Sequence, residues 1–382
     1  MKKLLALLLA VMMILSFASC GDKKDEEKTQ VDLGVIAPLT GSVAQYGTGV
    51  YNGVSLAVEE INAAGGILGK QIVIQKFDSK GSETEGVNAI NALITNEVDA
   101  VIGAVISSVT AAIAPLADEA GMVVVTPTST ADTVTEGYDY VFRTCFADSF
   151  QGKLAARYAD KLGKTKAAVL YISSDPYSAG LYEAFKAECA ALNIELVSVQ
   201  STASKDDTDF TTQLTTIQAT GVEFLYAPCY YSAIGSYIIP QARNAGYNGI
   251  VMGADGYDGV IPYMADPKSM YENVYFTNHY SKDDVNPVVQ NFVKSYTDKF
   301  GADTLNSFAA LGYDAVYMVK QAMEEANTTQ DKEAIKAAMA DINFSGVTGS
   351  FTLDETGTPQ KTAALLGFKD GAEIFVESVG LE

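Results

Sequence analysis

The side chains of this chain that could do chemistry sit in a few short loops and not in catalytic signatures. One loop is Ile106-Ser107-Ser108-Val109-Thr110, between an apolar run and a helical pattern. A serine where a helix begins can cap exposed backbone N–H groups, and those groups carry roughly half a positive charge from the helix dipole. A carboxylate suits such a place, held by Ser107 and the neighbouring amides. A second loop, Thr126-Pro127-Thr128-Ser129-Thr130, offers hydroxyls without net charge on a backbone set by proline. The complement comes from Asp255, in Gly253-Ala254-Asp255-Gly256. There it could accept an ammonium through strong charge-assisted hydrogen bonds. Tyr177 and Tyr230 stand at two further strand ends, as apolar walls with polar tips. Taken singly, these features are a helix cap, a polar turn, an Asx turn and packing tyrosines. Taken together, they match a small zwitterion.

Other chemistries find little support. Gly65–Lys70 superficially suggests a phosphate loop, but the glycine spacing is wrong and Gln71 stands where Ser or Thr is needed. There is no G-x-S-x-G elbow. The single histidine, His279, has no motif around it, and no cluster has zinc-ligand spacing. No enzymatic activity, metal or cofactor is expected. The net charge of −21 repels nucleic acid, and there is no basic cluster to offset it. Cys145, Cys189 and Cys229 are far apart and odd in number, which predicts inert buried thiols, with one disulfide left open.

The elements that must position these loops alternate in type. Strand patterns at 31–39, 71–77, 100–103 and 122–126 are separated by helical patterns at 48–64, 83–96 and 109–120. The pattern restarts after Arg143. Helices are expected at 152–162, 181–192, 210–219 and 233–245, with strands at 167–172, 194–200, 222–227 and 250–253. Two α/β units, each a doubly wound parallel sheet, follow from this order. Three helices (288–300, 305–326, 333–340) and short strands near 349–353, 363–368 and 373–376 close the chain. In open parallel sheets ligands bind beyond the carboxyl ends of the strands, which is where the loops above lie.

The first thirty residues have a separate logic. Lys2 and Lys3 precede an apolar stretch too short to span a bilayer, then small residues and Cys20. This resembles a lipoprotein leader (1–19) with Phe17 at the usual leucine position, and implies a lipid on Cys20. The charged run 20–30 reads as a disordered tether to a membrane. The protein is therefore expected outside the cytoplasm, on the cell membrane. Removal of Lys2 and Lys3 with the leader would take the net charge to about −23.

In combination the loops resemble the leucine/isoleucine/valine-binding proteins, type I periplasmic solute receptors of ABC importers. The segments that carry the resemblance are GVIAPLTGSVAQYG (34–47), AVEEINAAGGILGKQI (57–72), the ISSVT loop, VVVTPTSTA (123–131), VFRTCFADSFQG (141–152), QARNAG (241–246) and VMGADG (251–256). The resemblance implies two lobes joined by a three-crossover hinge. Lobe 1 would be 31–146 plus 279–350 and lobe 2 147–278 plus 351–382, with crossings near 144–148, 276–280 and 349–354. It also implies binding roles for Tyr46, Ser107, Thr128, Thr130, Tyr177, Tyr230 and Asp255, and with Ser108 and Ser129 from the same two loops these make the expected binding set. In that set Ser107 and the hydroxyls take the amino-acid head group, Tyr46 lines the side-chain pocket, and Asp255 pairs with the ammonium. The acidic residue of the family is often Glu, so the shorter Asp255 requires a tighter closure or a water. The implied function is capture of a branched-chain amino acid by hinge closure and delivery, as a monomer, to a membrane permease. A sensory role, or an amide, urea or short-chain carboxylate as cargo, is the alternative.

Overall fold

A computed structural model describes residues 28–381. The leader, Cys20 and nearly all of the expected tether lie outside the described residues. Gln30, counted with the tether above, opens the first strand. From Val31 onward the described residues form one compact unit, built on two large sheets and a two-stranded one.

The first half is built on β1 (Gln30–Ala37), β2 (Gln71–Asp78), β3 (Ala100–Ile102), β4 (Val124–Thr126) and β5 (Val141–Arg143), in the spatial order β2-β1-β3-β4-β5. The pairs β1/β3, β3/β4 and β4/β5 are parallel. Strands β3 and β4 are buried throughout, so they read as unbroken apolar runs and do not alternate. Helices α1 (Ala44–Ala63), α2 (Glu83–Thr95) and α3 (Ser107–Glu119) connect them.

The second half is built on β6 (Lys166–Ile172), β7 (Glu195–Thr202), β8 (Phe224–Tyr226), β9 (Ile250–Gly253) and β10 (Val274–Asn278). Its helices are α4 (Asp148–Lys161), α5 (Pro176–Ala191), α6 (Thr211–Ala219) and α7, which runs Tyr231–Ala233, a π-turn over Ile234–Ile238, then Ile239–Asn244.

The chain then returns to the first half. Helices α8 (Pro287–Phe300), α9 (Ser307–Glu325) and α10 (Lys332–Ala340) are followed by the antiparallel pair β11 (Asn343–Gly346) and β12 (Gly349–Thr352). Helix α9 packs along α1 and over β3 and β4. The approach is close because Gly53 has no side chain: a Cβ there would lie 1.9 Å from the Ala309 carbonyl oxygen. Finally β13 (Ala363–Lys369) and β14 (Ala372–Val379) extend the second sheet, giving β14-β13-β10-β9-β8-β6-β7. Both added strands run antiparallel to their neighbours, so this sheet is mixed where a purely parallel one was expected.

The chain passes between the halves three times: from β5 to α4, from β10 to α8 and from β12 to β13. Lys361 ties the first and third passages together. Its ammonium donates to the Thr144 carbonyl at 2.8 Å and to the Thr348 hydroxyl at 3.1 Å. Burial holds this amine down at about 8. Cys145, Cys189 and Cys229 are free thiols in the interior. Burial pushes the first two up to about 12. Among the described residues no helix is long and apolar enough to cross a membrane.

Candidate functional site

On the first half, the site begins where β3 ends. Val105 has φ 76°, a left-handed conformation that a β-branched residue rarely adopts. This sharp turn leads into α3, and the helix starts two residues earlier than its apolar pattern predicts. Ser107 is therefore the first helical residue and not a cap; the cap position is Ile106, which gives no side-chain capping bond. The first amides of α3 have no acceptor within the helix, as at any helix start, and face outward with the dipole behind them.

The hydroxyl loop after β4 is fixed beside this turn. The Thr128 hydroxyl donates to the Val105 carbonyl at 2.7 Å, and Ser129 and Thr110 share a hydroxyl bond of 2.5 Å. Arg143, at the end of β5 and 1% exposed, organises the loop from beneath. Its guanidinium donates to the carbonyls of Thr130 (2.9 Å), Ala131 (3.0 Å) and Asp132 (3.2 Å) and to the Thr135 hydroxyl (2.6 Å). The Thr130 hydroxyl lies beside the buried Asp148 carboxylate, and neither makes a well-formed hydrogen bond. Burial, with the Asp255 charge added, raises Asp148 well above the ordinary carboxylate range.

On the second half, Asp255 follows β9 in a single 3-10 turn, Asp255–Tyr257. One carboxylate oxygen accepts from Gln151 Nε2 and from the Tyr177 hydroxyl, each at 3.1 Å. The other oxygen lies 3.1 Å from His279 Nε2. Gln151 also accepts from the Asp255 amide (3.0 Å) and from the Thr277 hydroxyl (2.7 Å), so the aspartate is gripped at both its backbone and its side chain. The His279 ring stacks on Phe146 at 3.9 Å. Burial holds the imidazole below its ordinary value, while the Asp255 carboxylate pulls the other way. Asp175 caps α5 and sets Tyr177, whose ring stacks on Tyr230 at 5.2 Å. The Tyr177 hydroxyl also receives the Gly256 amide at 2.8 Å, and a Cβ on Gly256 would come within 2.6 Å of that oxygen.

The two halves meet over the site. The Tyr46 hydroxyl, from α1, donates to the Gly256 carbonyl at 2.5 Å and accepts from the Tyr231 amide at 3.2 Å. At the rim the Tyr231 hydroxyl donates to the Ser42 carbonyl (2.9 Å) and the Ser42 hydroxyl to Asp206 (2.7 Å). This is a closed arrangement around a small residual cavity of about 20 Å³. Burial raises Tyr46, Tyr177 and Tyr230 well above the phenol range, so all three stay neutral hydrogen-bonding rings.

Six of the nine expected binding residues line this cavity: Tyr46, Ser107, Thr128, Tyr177, Tyr230 and Asp255. Ser108, Ser129 and Thr130 do not. Ser108 is half-buried in the first turn of α3, and Ser129 and Thr130 are fully buried. Four lining residues had no expected role: Val105, Ile106, Gly256 and Phe308. Phe308 is delivered by the start of α9 and meets Tyr46 edge-on at 4.5 Å. The supports Gln151 and His279 were also missed. Gln151 lies inside the segment 141–152 that carries the resemblance, and His279 has no motif around it in the sequence. The arrangement can bind: it offers helix-start amides and hydroxyls on one wall, a carboxylate on the other and rings between them.

Known proteins share this architecture. The periplasmic binding protein family matches residues 30–373. A Leu/Ile/Val-binding protein homolog of Brucella melitensis is 33% identical over 333 residues, 86% of this chain and 88% of its own. The crystal structure of a leucine binding protein from Thermotoga maritima superposes with a TM-score of 0.84 at 32% identity, over 92% of this chain and 99% of that one. A branched-chain amino acid transporter substrate binding protein from Streptococcus pneumoniae, solved with isoleucine, gives a TM-score of 0.82 at 32% identity, over 91% and 99% of the two chains. With its two α/β halves, three passages and closed cleft, the chain belongs to the periplasmic binding protein family, among the branched-chain amino acid binding proteins of ABC transporters.

Proposed function

We propose that the protein captures a branched-chain aliphatic amino acid between its halves, 31–146 plus 279–350 and 147–278 plus 351–382, and presents it to an ABC-transporter permease. In this reading it acts as a monomer outside the cytoplasm, held to the membrane by a lipid on Cys20. The observation that carries the ligand class is the placement of polar and aromatic groups around the cleft. Its polar groups sit at opposite walls. The amino-acid carboxylate would meet the Ser107 hydroxyl and the first amides of α3, beside Thr128, whose hydroxyl proton is committed to the Val105 carbonyl. The ammonium would meet Asp255 and the Tyr177 hydroxyl. Between them Tyr46, Tyr230 and Phe308 leave an apolar surround for the side chain. Ser108, Ser129 and Thr130 act behind the wall, through the loop they belong to. The solute-binding relatives support transport, and no chemical step is assigned to these residues.

Titration calorimetry separates the parts of this reading. Leucine, isoleucine and valine should bind. 4-Methylpentanoate, which lacks the ammonium, and 3-methylbutylamine, which lacks the carboxylate, should each bind at least tenfold more weakly, because each leaves buried polar groups unpaired. Equal binding of 4-methylpentanoate and leucine would sink the role of Asp255. No response to any of the three amino acids would sink the ligand class.

A further inference from the structure

Three residues beyond Asp255, the same short turn presents a second carboxylate to a different partner. One oxygen of Asp258 accepts the Ser307 amide at 2.6 Å and the Asn278 side-chain amide at 2.9 Å. Asn278 ends β10 in its own half, whereas Ser307 is the first residue of α9, which packs on α1 in the opposite half. Both partners are buried, with Asp258 6% and Ser307 1% exposed. Asp258 does not line the ligand cavity, but Phe308, the residue after its partner, does.

We infer that Asp258 is a positioning residue for closure: a latch whose carboxylate engages the N-terminus of α9 only when the two halves are together. The physical basis is twofold. The α9 start carries unmatched amides and the positive end of a helix dipole, and a desolvated carboxylate is the strong partner for both. Asn306 caps α9 by accepting the Ala309 amide at 3.0 Å, which leaves the Ser307 amide to Asp258. In an open form the same two groups would each be hydrated, so the contact adds to closed-state stability whether or not a ligand is present. Apparent ligand affinity scales with the fraction of molecules able to close, so a residue that never touches the ligand still sets its affinity. The contact is made by closure itself, with or without ligand, so its loss should favour opening and speed release.

This inference rests on the proposed ligand reading only for its kinetic arm. Two variants approach the latch from opposite sides. Asp258→Asn removes the charge. Ser307→Pro removes the donated N–H at a helix position where proline is favoured, after a residue, Asn306, that is already extended at φ −143° and ψ 174°. Small-angle scattering without ligand should give a smaller closed fraction for both variants than for the wild type. Stopped-flow release of leucine should be faster in both by about three- to tenfold. The double variant should be no worse than the worse single one, because both remove the same contact. If Asp258→Asn closes and releases leucine as the wild type does, the latch is overturned. A wild-type chain that binds no leucine sinks the ligand reading instead, and the latch is then judged on ligand-free scattering alone. There, equal closed fractions overturn it.

Discussion

The two walls of the cavity are built by different means. The first is a backbone construction. Arg143 gathers the carbonyls of the hydroxyl loop, the Thr128 hydroxyl is committed to the Val105 carbonyl, and the outward groups are largely amides of a turn and a helix start. The second is a side-chain construction. Asp255 is held by Gln151 from α4, Tyr177 from α5 and His279 after β10. On the first wall a ligand would read geometry that no single side chain supplies. On the second, each side chain counts by itself. Damage should therefore show as lost folding on one side and as lost affinity on the other.

The largest effect is expected from the first wall. Arg143→Met strips donors from several buried carbonyls and the Thr135 hydroxyl, and should cost about 3–5 kcal/mol of stability in denaturant unfolding. A loss below about 1 kcal/mol would mean that the loop holds its own shape. Asp255→Ala, on the second wall, should weaken leucine binding tenfold or more, about 1.5–3 kcal/mol, with a much smaller stability change. Equal affinities in calorimetry would break the contrast. The smallest effect concerns His279. Its value is lowered by burial, so the native state favours the neutral ring. The stability it supports is present above the unfolded value near 6.5 and declines as pH falls below that, by at most about 1.4 kcal/mol per pH unit. His279→Gln should flatten that part of the acid limb in melting temperatures measured across pH. An unchanged limb would assign it to other groups.

The alternation of strands and helices was legible from composition because most sheet strands are buried apolar runs. Boundaries failed where tertiary contacts decide. Helix α1 starts at Ala44, four residues before its apparent onset, because the glycines there look like breakers. Gly53 shows their actual use, close approach to another helix, which no local pattern encodes. Strand β5 has three residues, and β11 offers one buried ring, Phe344, so neither carried enough signal. Ser107 looked like a cap, although the helix takes it in as its first residue. The loops at the carboxyl ends of the strands do converge on one cavity. Phe308 is placed by the way the chain returns after β10, which no local pattern encodes, and His279, directly after β10, carries no motif of its own.

The interior cysteines have a practical consequence. Three thiols out of solvent, two of them held near 12, leave the folded surface from Val31 onward without a reactive sulfur. A cysteine introduced at Ser42, where the rim hydroxyl meets Asp206, could then be labelled selectively with an environment-sensitive dye. The dye's brightness would report closing and opening in real time, making the chain a reagentless optical sensor of its own cargo.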